Sequence, residues 1–200
     1  AGLIGNTSFL GIPIAIALLP TNTINLTIGF DLGTTLFAWI FGPLLLRKKE
    51  HLNKKLDFKE ISKAILNSPA SRGIIGTIIA YLFGLESVLG DYLWIPARIV
   101  IVLAIVVVGT RLGIITNNKK IFFSFSKDIK FSIILKLIIL PIIIFCISKF
   151  LHFNLNETSA VVLQAGTPSA VSTILMAEAY KTNQEIAATI LFTTTLISIV

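Results

Sequence analysis

The sequence predicts an all-α polytopic membrane protein, and three observations carry that prediction. Apolar residues come in long uncharged blocks, with no charge in residues 1–30 or 158–177. Uncharged apolar runs of about 18 residues or more are what a membrane-spanning helix requires. Charged residues make up only 14% of the chain against 54% hydrophobic, with a mean hydropathy of +0.89. A soluble domain carries roughly 25% charge to coat its core. Finally, the charges cluster in hydrophilic segments that lie between the apolar blocks.

Seven spans follow in order along the 200 residues. The first, 1–19, is interrupted by Gly11-Ile12-Pro13, and the second, 24–46, contains Asp31. A basic loop at 47–68 leads to a short third span at 69–85 and a fourth at 92–113. After a second basic loop at 114–130 come the fifth span, 131–150, the sixth, 158–177, and the seventh, 185–200. The sixth is interrupted by Gly166-Thr167-Pro168. The β-branched run 99–108 raises a strand reading, but transmembrane strands are about 10 residues long and alternate in polarity. These runs are longer and apolar on all sides. The chain opens inside an apolar segment without Met and stops in mid-run at Val200. It is therefore expected to be a piece of a longer protein with helices before Ala1. A signal peptide is not the expected reading of the first segment, which has no basic start and no small-residue cleavage site.

Charge placement sets the expected orientation. The loop 47–68 carries Arg47, Lys48, Lys49, Lys54, Lys55, Lys59 and Lys63, and the loop 114–130 carries Lys119, Lys120, Lys127 and Lys130 beside Arg111. Two spans separate these loops, so both lie on one face. The link between those spans, 86–91, holds acids and no Lys or Arg. Basic loops stay in the cytoplasm, which makes the first span run outward. The net charge of +7 is then topological. It indicates attraction to anionic lipid and no nucleic-acid partner, because the basic residues do not interleave with aromatics.

The functional signal lies in the two Gly-x-Pro interruptions. Proline removes a donor and clashes with the preceding turn, and glycine loosens the helix. In lipid every freed backbone group costs several kcal/mol unless protein or a wet cavity satisfies it. Paired interruptions, four spans apart and each followed by a short link and another apolar helix, are the pattern of an inverted repeat built around a transport site. Half-helix N-termini at such breaks attract anions. Polar residues crowd both: Asn6, Thr7 and Ser8 before the first, and Gln164, Thr167, Ser169, Ser172 and Thr173 around the second. The bland alternative is that both prolines merely kink packing helices.

The segment Asn6-Thr7-Ser8-Phe9-Leu10-Gly11-Ile12-Pro13 resembles the fourth-helix motif of the auxin efflux carrier family, which includes plant auxin carriers and bacterial permeases for malate and malonate. Gln164-Ala165-Gly166-Thr167-Pro168-Ser169-Ala170, followed by Ala177-Glu178-Ala179-Tyr180, resembles its ninth-helix motif, and Asn67-Ser68-Pro69 the start of its sixth helix. The resemblance implies an inverted-repeat ten-helix transporter fold with two broken crossover helices, of which helices four to ten, about seven, are present. Residues 1–46 would end the first repeat, 47–68 would form the cytoplasmic loop, and 69–200 would be the second repeat with its crossover helix at 158–177. It also implies an elevator-like movement of a transport part against a scaffold that includes the third and fourth spans. Asn6 corresponds to the asparagine that helps bind the substrate carboxylate, and Pro13 and Pro168 mark the crossover. Thr173 stands where the plant carriers have a second proline, and the loop is short, which favours a microbial-type permease over an auxin carrier.

The candidate substrate-binding residues are thus Asn6, Thr7, Gly11, Pro13, Gln164, Gly166, Thr167, Pro168 and Ser169. Asp31 is a candidate for ion coupling or for pairing with Lys136 or Arg98, and the rival reading is a polar contact near the outer interface. Lys136 is expected to snorkel, and Arg98 to anchor at the interface beside Trp94. His51, His152 and the single Cys146 show no metal-ligand spacing, no cofactor motif is visible, and Asn156-Glu157-Thr158 matches a chance-prone glycosylation sequon. The expectation is a multi-pass cell-membrane protein that moves a small organic anion, with lipid and a second copy of itself as partners, and no catalytic set for an enzyme. Two rivals stand: a sodium-coupled symporter of related fold, and a non-transporting subunit or sensor docking through 47–68.

Overall fold

A computed structural model describes residues 2–46, 69–117, 126–179 and 182–199. Among them the chain is helical, with one isolated backbone bridge in place of any sheet. The helices are α1 (Thr7–Leu18), α2 (Ile24–Leu46), α3 (Pro69–Leu82), α4 (Glu86–Asn117), α5 (Lys127–Phe150), α6 (Leu155–Gly166), α7 (Ser172–Ala179) and α8 (Gln184–Ile199). The basic residues from Arg47 to Lys63, His51, Asn67, Ser68, Lys119, Lys120 and Tyr180 lie outside the described residues.

The chain divides into two compact units. One comprises Thr35–Val107. Its helices α3 and α4 leave Ile78, Ile79, Leu93, Ile95, Val102 and Leu103 exposed. In water this would be an oversized apolar patch; in lipid it is the expected surface. Arg98 lies over the Trp94 ring at 3.8 Å from its centroid, a cation–π contact. The link 86–91 is not a loop. It forms the first turns of α4, where Glu86 in the first turn complements the positive helix end.

The other unit comprises Ala1–Thr34 and Val108–Val200. Its longest apolar element is α5, 24 residues with only 11% of its most apolar window buried. At 1.5 Å per residue this helix is about 36 Å long, enough to cross the roughly 30 Å hydrocarbon core. Among the described residues it is the one helix that meets the length and composition test for a span. A capping box starts α6: Glu157 N–H donates to Asn154 Oδ1 and Asn154 N–H to Glu157 Oε2, both at 2.9 Å. The central residue of the sequon is therefore engaged in starting a helix, and Thr158 is buried. Helix α6 packs along α5, and α8 packs against both α5 and α7. The α7–α8 contact is built from Ile174, Ala177, Ala187, Ala188 and Leu191, where small residues let the helices approach closely.

The two prolines expected to interrupt helices behave differently. After α6 ends at Gly166, residues 167–171 are non-helical before α7 begins, so the second interruption stands where the sequence places it. The first does not. Helix α1 runs unbroken through Gly11-Ile12-Pro13, and the non-helical stretch lies upstream, at residues 2–6. The reason is a wide turn over Thr7–Gly11, in which Gly11 N–H reaches back to Asn6 O at 3.1 Å and Ile12 N–H to Thr7 O. Widening the turn accommodates the proline ring that would collide with the carbonyl four residues earlier. The same device recurs in α5, where a wide turn over Leu135–Ile139 precedes Pro141 by two residues.

Candidate functional site

The residues before α1 and those between α6 and α7 meet within the larger unit. Gly5 faces Ser169 in an antiparallel bridge. Asn6 N–H donates to Pro168 O at 2.7 Å, and Ala170 N–H donates to Ile4 O at 2.9 Å. These two bonds satisfy groups that the breaks leave without helical partners, which is the condition for non-helical backbone at membrane depth. The bridge needs glycine at position 5. A Cβ there would fall 2.8 Å from Lys136 Nζ and closer still to Thr167 Oγ1.

The cut end of α6 is also satisfied. Gln164 O accepts from Thr167 Oγ1 at 2.8 Å and from Thr167 N–H at 3.3 Å. Ala165 O accepts from Lys136 Nζ at 2.6 Å. Lys136 is only 2% exposed, so it does not snorkel as its sequence position led us to expect. The wide turn of α5 that contains it carries the side chain inward to the break, and a cation at a helix C-terminus complements the partial negative charge there. On the other side of the bridge, Ser169 N–H donates to Thr194 Oγ1 at 3.1 Å, and that hydroxyl in turn donates to Ile190 O at 2.7 Å.

One side chain is left over. Gln164 is completely buried, and neither its Oε1 nor its Nε2 has a hydrogen-bond partner. An orphaned buried amide costs about 1–3 kcal/mol, which is the kind of exception that calls for a ligand or another explanation. The carboxamide lies against Gly11, where a Cβ would overlap Oε1 and sit 2.9 Å from Thr167 Cγ2. Asn6, at the start of α1, is 5% exposed and makes no capping bond with its side chain.

Asp31, on α2, is held by α1. Thr7 Oγ1 and Ser8 Oγ both donate to its Oδ1, the latter at 2.7 Å. The carboxylate is 8% exposed. It pairs with hydroxyls and not with Lys136, whose partner is the Ala165 carbonyl.

The structure therefore gathers Asn6, Thr7, Gly11, Gln164, Thr167, Pro168 and Ser169 around the bridge and links Asp31 to Thr7. It sets two candidates apart. Pro13 sits in the first turn of the helical stretch Ile12–Leu18, beyond the wide turn. At Gly166 a Cβ would meet only Pro141 Cγ, at an ordinary 3.7 Å, so that glycine answers no demand for space; the crowded glycines are 5 and 11. Lys136 and Thr194 complete the site and were not among the sequence candidates. The signal for the first was a lysine well inside an apolar run. For the second it was the triplet Thr193-Thr194-Thr195 in the middle of a largely apolar helix. No group of three or more metal-ligating side chains occurs among the described residues.

Residues 59–200 match a family profile described as membrane transport protein. No curated protein and no solved structure matches the chain.

Proposed function

We propose that this chain, which belongs to the auxin efflux carrier family of membrane transport proteins, moves a small organic anion, of the carboxylate class to which malate and malonate belong. As a member of that integral-membrane family it is a transporter or permease.

The observation that carries the reading is the Gln164 carboxamide, fully buried at the bridge between two non-helical segments and without a partner. Its Nε2 offers donors to a carboxylate oxygen, and the side chain of Asn6, which makes no capping bond, offers a second amide from the opposing segment. Asp31, linked through Thr7 to the same segment, is the group we assign to ion coupling. The elevator-like movement and the division into repeats at 1–46 and 69–200 come from the family resemblance, and the backbone bridge supports them in one respect: it ties the two non-helical segments together, so they would travel as one piece.

The test is uptake of radiolabelled malate and related dicarboxylates into proteoliposomes containing the full-length protein, with and without an imposed proton gradient. Gradient-stimulated uptake lost on Asn6→Ala is the expected result. Absence of uptake of every organic acid tried, by protein shown to be folded, would end the organic-anion reading and turn attention to a subunit or sensor role.

A further inference from the structure

We infer that Lys136 is a built-in cation of the crossover: its ammonium occupies the place at the cut end of α6 that a bound metal cation would otherwise have to fill, so this transporter needs no sodium to hold its site together. The inference rests on the reading of the crossover as the transport site.

Three observations converge on it. Lys136 is 2% exposed, and its Nζ donates to Ala165 O at 2.6 Å. That carbonyl is one of the last in α6, beside the break at Thr167-Pro168, and it has no following turn of helix to supply a donor. The ammonium also lies next to the backbone of Gly5, so close that a Cβ there would be 2.8 Å from Nζ. It is thus wedged between both non-helical segments at once. Transporters built on broken helices hold their coupling cations with such unwound carbonyls and half-helix C-terminal ends. Here the charge arrives on a side chain anchored in α5, and no carboxylate among the described residues pairs with it. Its compensation is the helix end and the carbonyl, an arrangement a small inorganic cation would satisfy in the same way.

Two consequences are specific. Wild-type protein should be indifferent to sodium. Truncating the lysine should open a cavity bordered by the freed carbonyl, and sodium should enter it. The experiment is thermal unfolding of detergent-purified full-length protein in sodium chloride and in choline chloride at equal ionic strength. It is paired with direct binding of radiolabelled sodium. For the wild type the midpoint should be the same in both salts and no sodium should bind. For Lys136→Ala the midpoint should fall in choline and recover by about 4 °C or more in sodium, with saturation. Lys136→Met refills the volume without the charge; it should be destabilised and remain deaf to sodium. Sodium binding that stabilises the wild type would overturn the inference, as would a Lys136→Met variant as stable as wild type. If the alanine variant fails to fold in either salt, the wild-type and methionine arms still decide. Malate uptake measured in parallel separates the two readings: no uptake alongside a sodium-rescued alanine variant would remove the organic-anion proposal and leave the built-in cation standing.

Discussion

Asn6 donates its backbone N–H to Pro168 O at 2.7 Å, and this single bond joins the start of α1 to the gap between α6 and α7. Each segment alone would leave backbone groups without partners in a low-dielectric setting, at several kcal/mol apiece. Together with the bond from Ala170 N–H to Ile4 O, it makes the two non-helical stretches, 2–6 and 167–171, mutually dependent. Each non-helical stretch supplies backbone partners that the other lacks. Side chains near the bridge are therefore constrained more tightly than those elsewhere in these helices.

The tightest constraint is at Gly5. Alanine there would place its methyl against Lys136 Nζ and Thr167 Oγ1, both held by hydrogen bonds. Gly5→Ala should lower stability by about 1–3 kcal/mol, the usual range for overpacking. Gly166→Ala, with room beside Pro141, should stay within about 0.5 kcal/mol of wild type. Denaturation midpoints of the two variants side by side check this ordering, and equal losses would remove the bridge argument.

Gly11 and Gln164 should behave as a coupled pair. A methyl at position 11 collides with the carboxamide, so Gly11→Ala should be destabilising on its own. In a Gln164→Ala background the obstacle is gone and the same substitution should be nearly free. A double-mutant cycle should return a coupling of about 0.5–3 kcal/mol, the range for residues in contact. Additive losses would mean that the two side chains do not meet.

The reach of the sequence can be judged at these same residues. Long apolar runs were enough to place α2, α5 and α8 as helices, despite isolated charges such as Asp31 and Lys136 inside them. Gly166-Thr167-Pro168 was legible as a break because nothing nearby relieves the proline. Gly11-Ile12-Pro13 was misread because a wide turn relieves it, and such a turn depends on how the backbone hydrogen bonds shift by one residue, which residue type does not encode. Lys136 was visible but sent to the wrong place. Snorkelling is the default for a lysine in lipid, and only the tertiary position of the cut end of α6, far away in sequence, supplies the carbonyl that holds it inside. Pairing of Gly5 with Ser169 was beyond reach for the same reason.

Asp31 offers a split between structure and coupling. Its Oδ1 accepts from Ser8 at 2.7 Å and from Thr7, while the Thr7 hydroxyl makes in addition a long 3.5 Å contact to Gly5 O. Asp31→Ala leaves the buried Thr7 hydroxyl and the half-buried Ser8 hydroxyl without this acceptor and should cost about 1–3 kcal/mol. Asp31→Asn retains a carbonyl oxygen for them, so its melting temperature should stay close to wild type. If Asp31 couples transport to protons, the asparagine variant should bind substrate yet lose stimulation by a proton gradient. A fully gradient-responsive asparagine variant would assign Asp31 to structure alone.

The sharpest prediction concerns Gln164. A residue that serves packing loses stability when replaced, and a residue kept for a ligand does not. Both polar atoms of Gln164 are buried and unpaired, so the side chain already carries an uncompensated desolvation cost. Leucine is close to it in volume and has nothing to desolvate, and replacing orphaned polar groups by apolar ones of similar shape is neutral or stabilising. Gln164→Leu should therefore unfold at the wild-type temperature or above it, while uptake of the anion falls by at least about tenfold, the equivalent of about 1.4 kcal/mol in lost substrate contacts. Thermal unfolding and proteoliposome uptake on the same preparation give both values. A variant that melts well below wild type would show that the amide has partners in the folded protein. One that is stable and still transports at the wild-type rate would free Gln164 of any part in binding and shift the substrate contact toward Asn6.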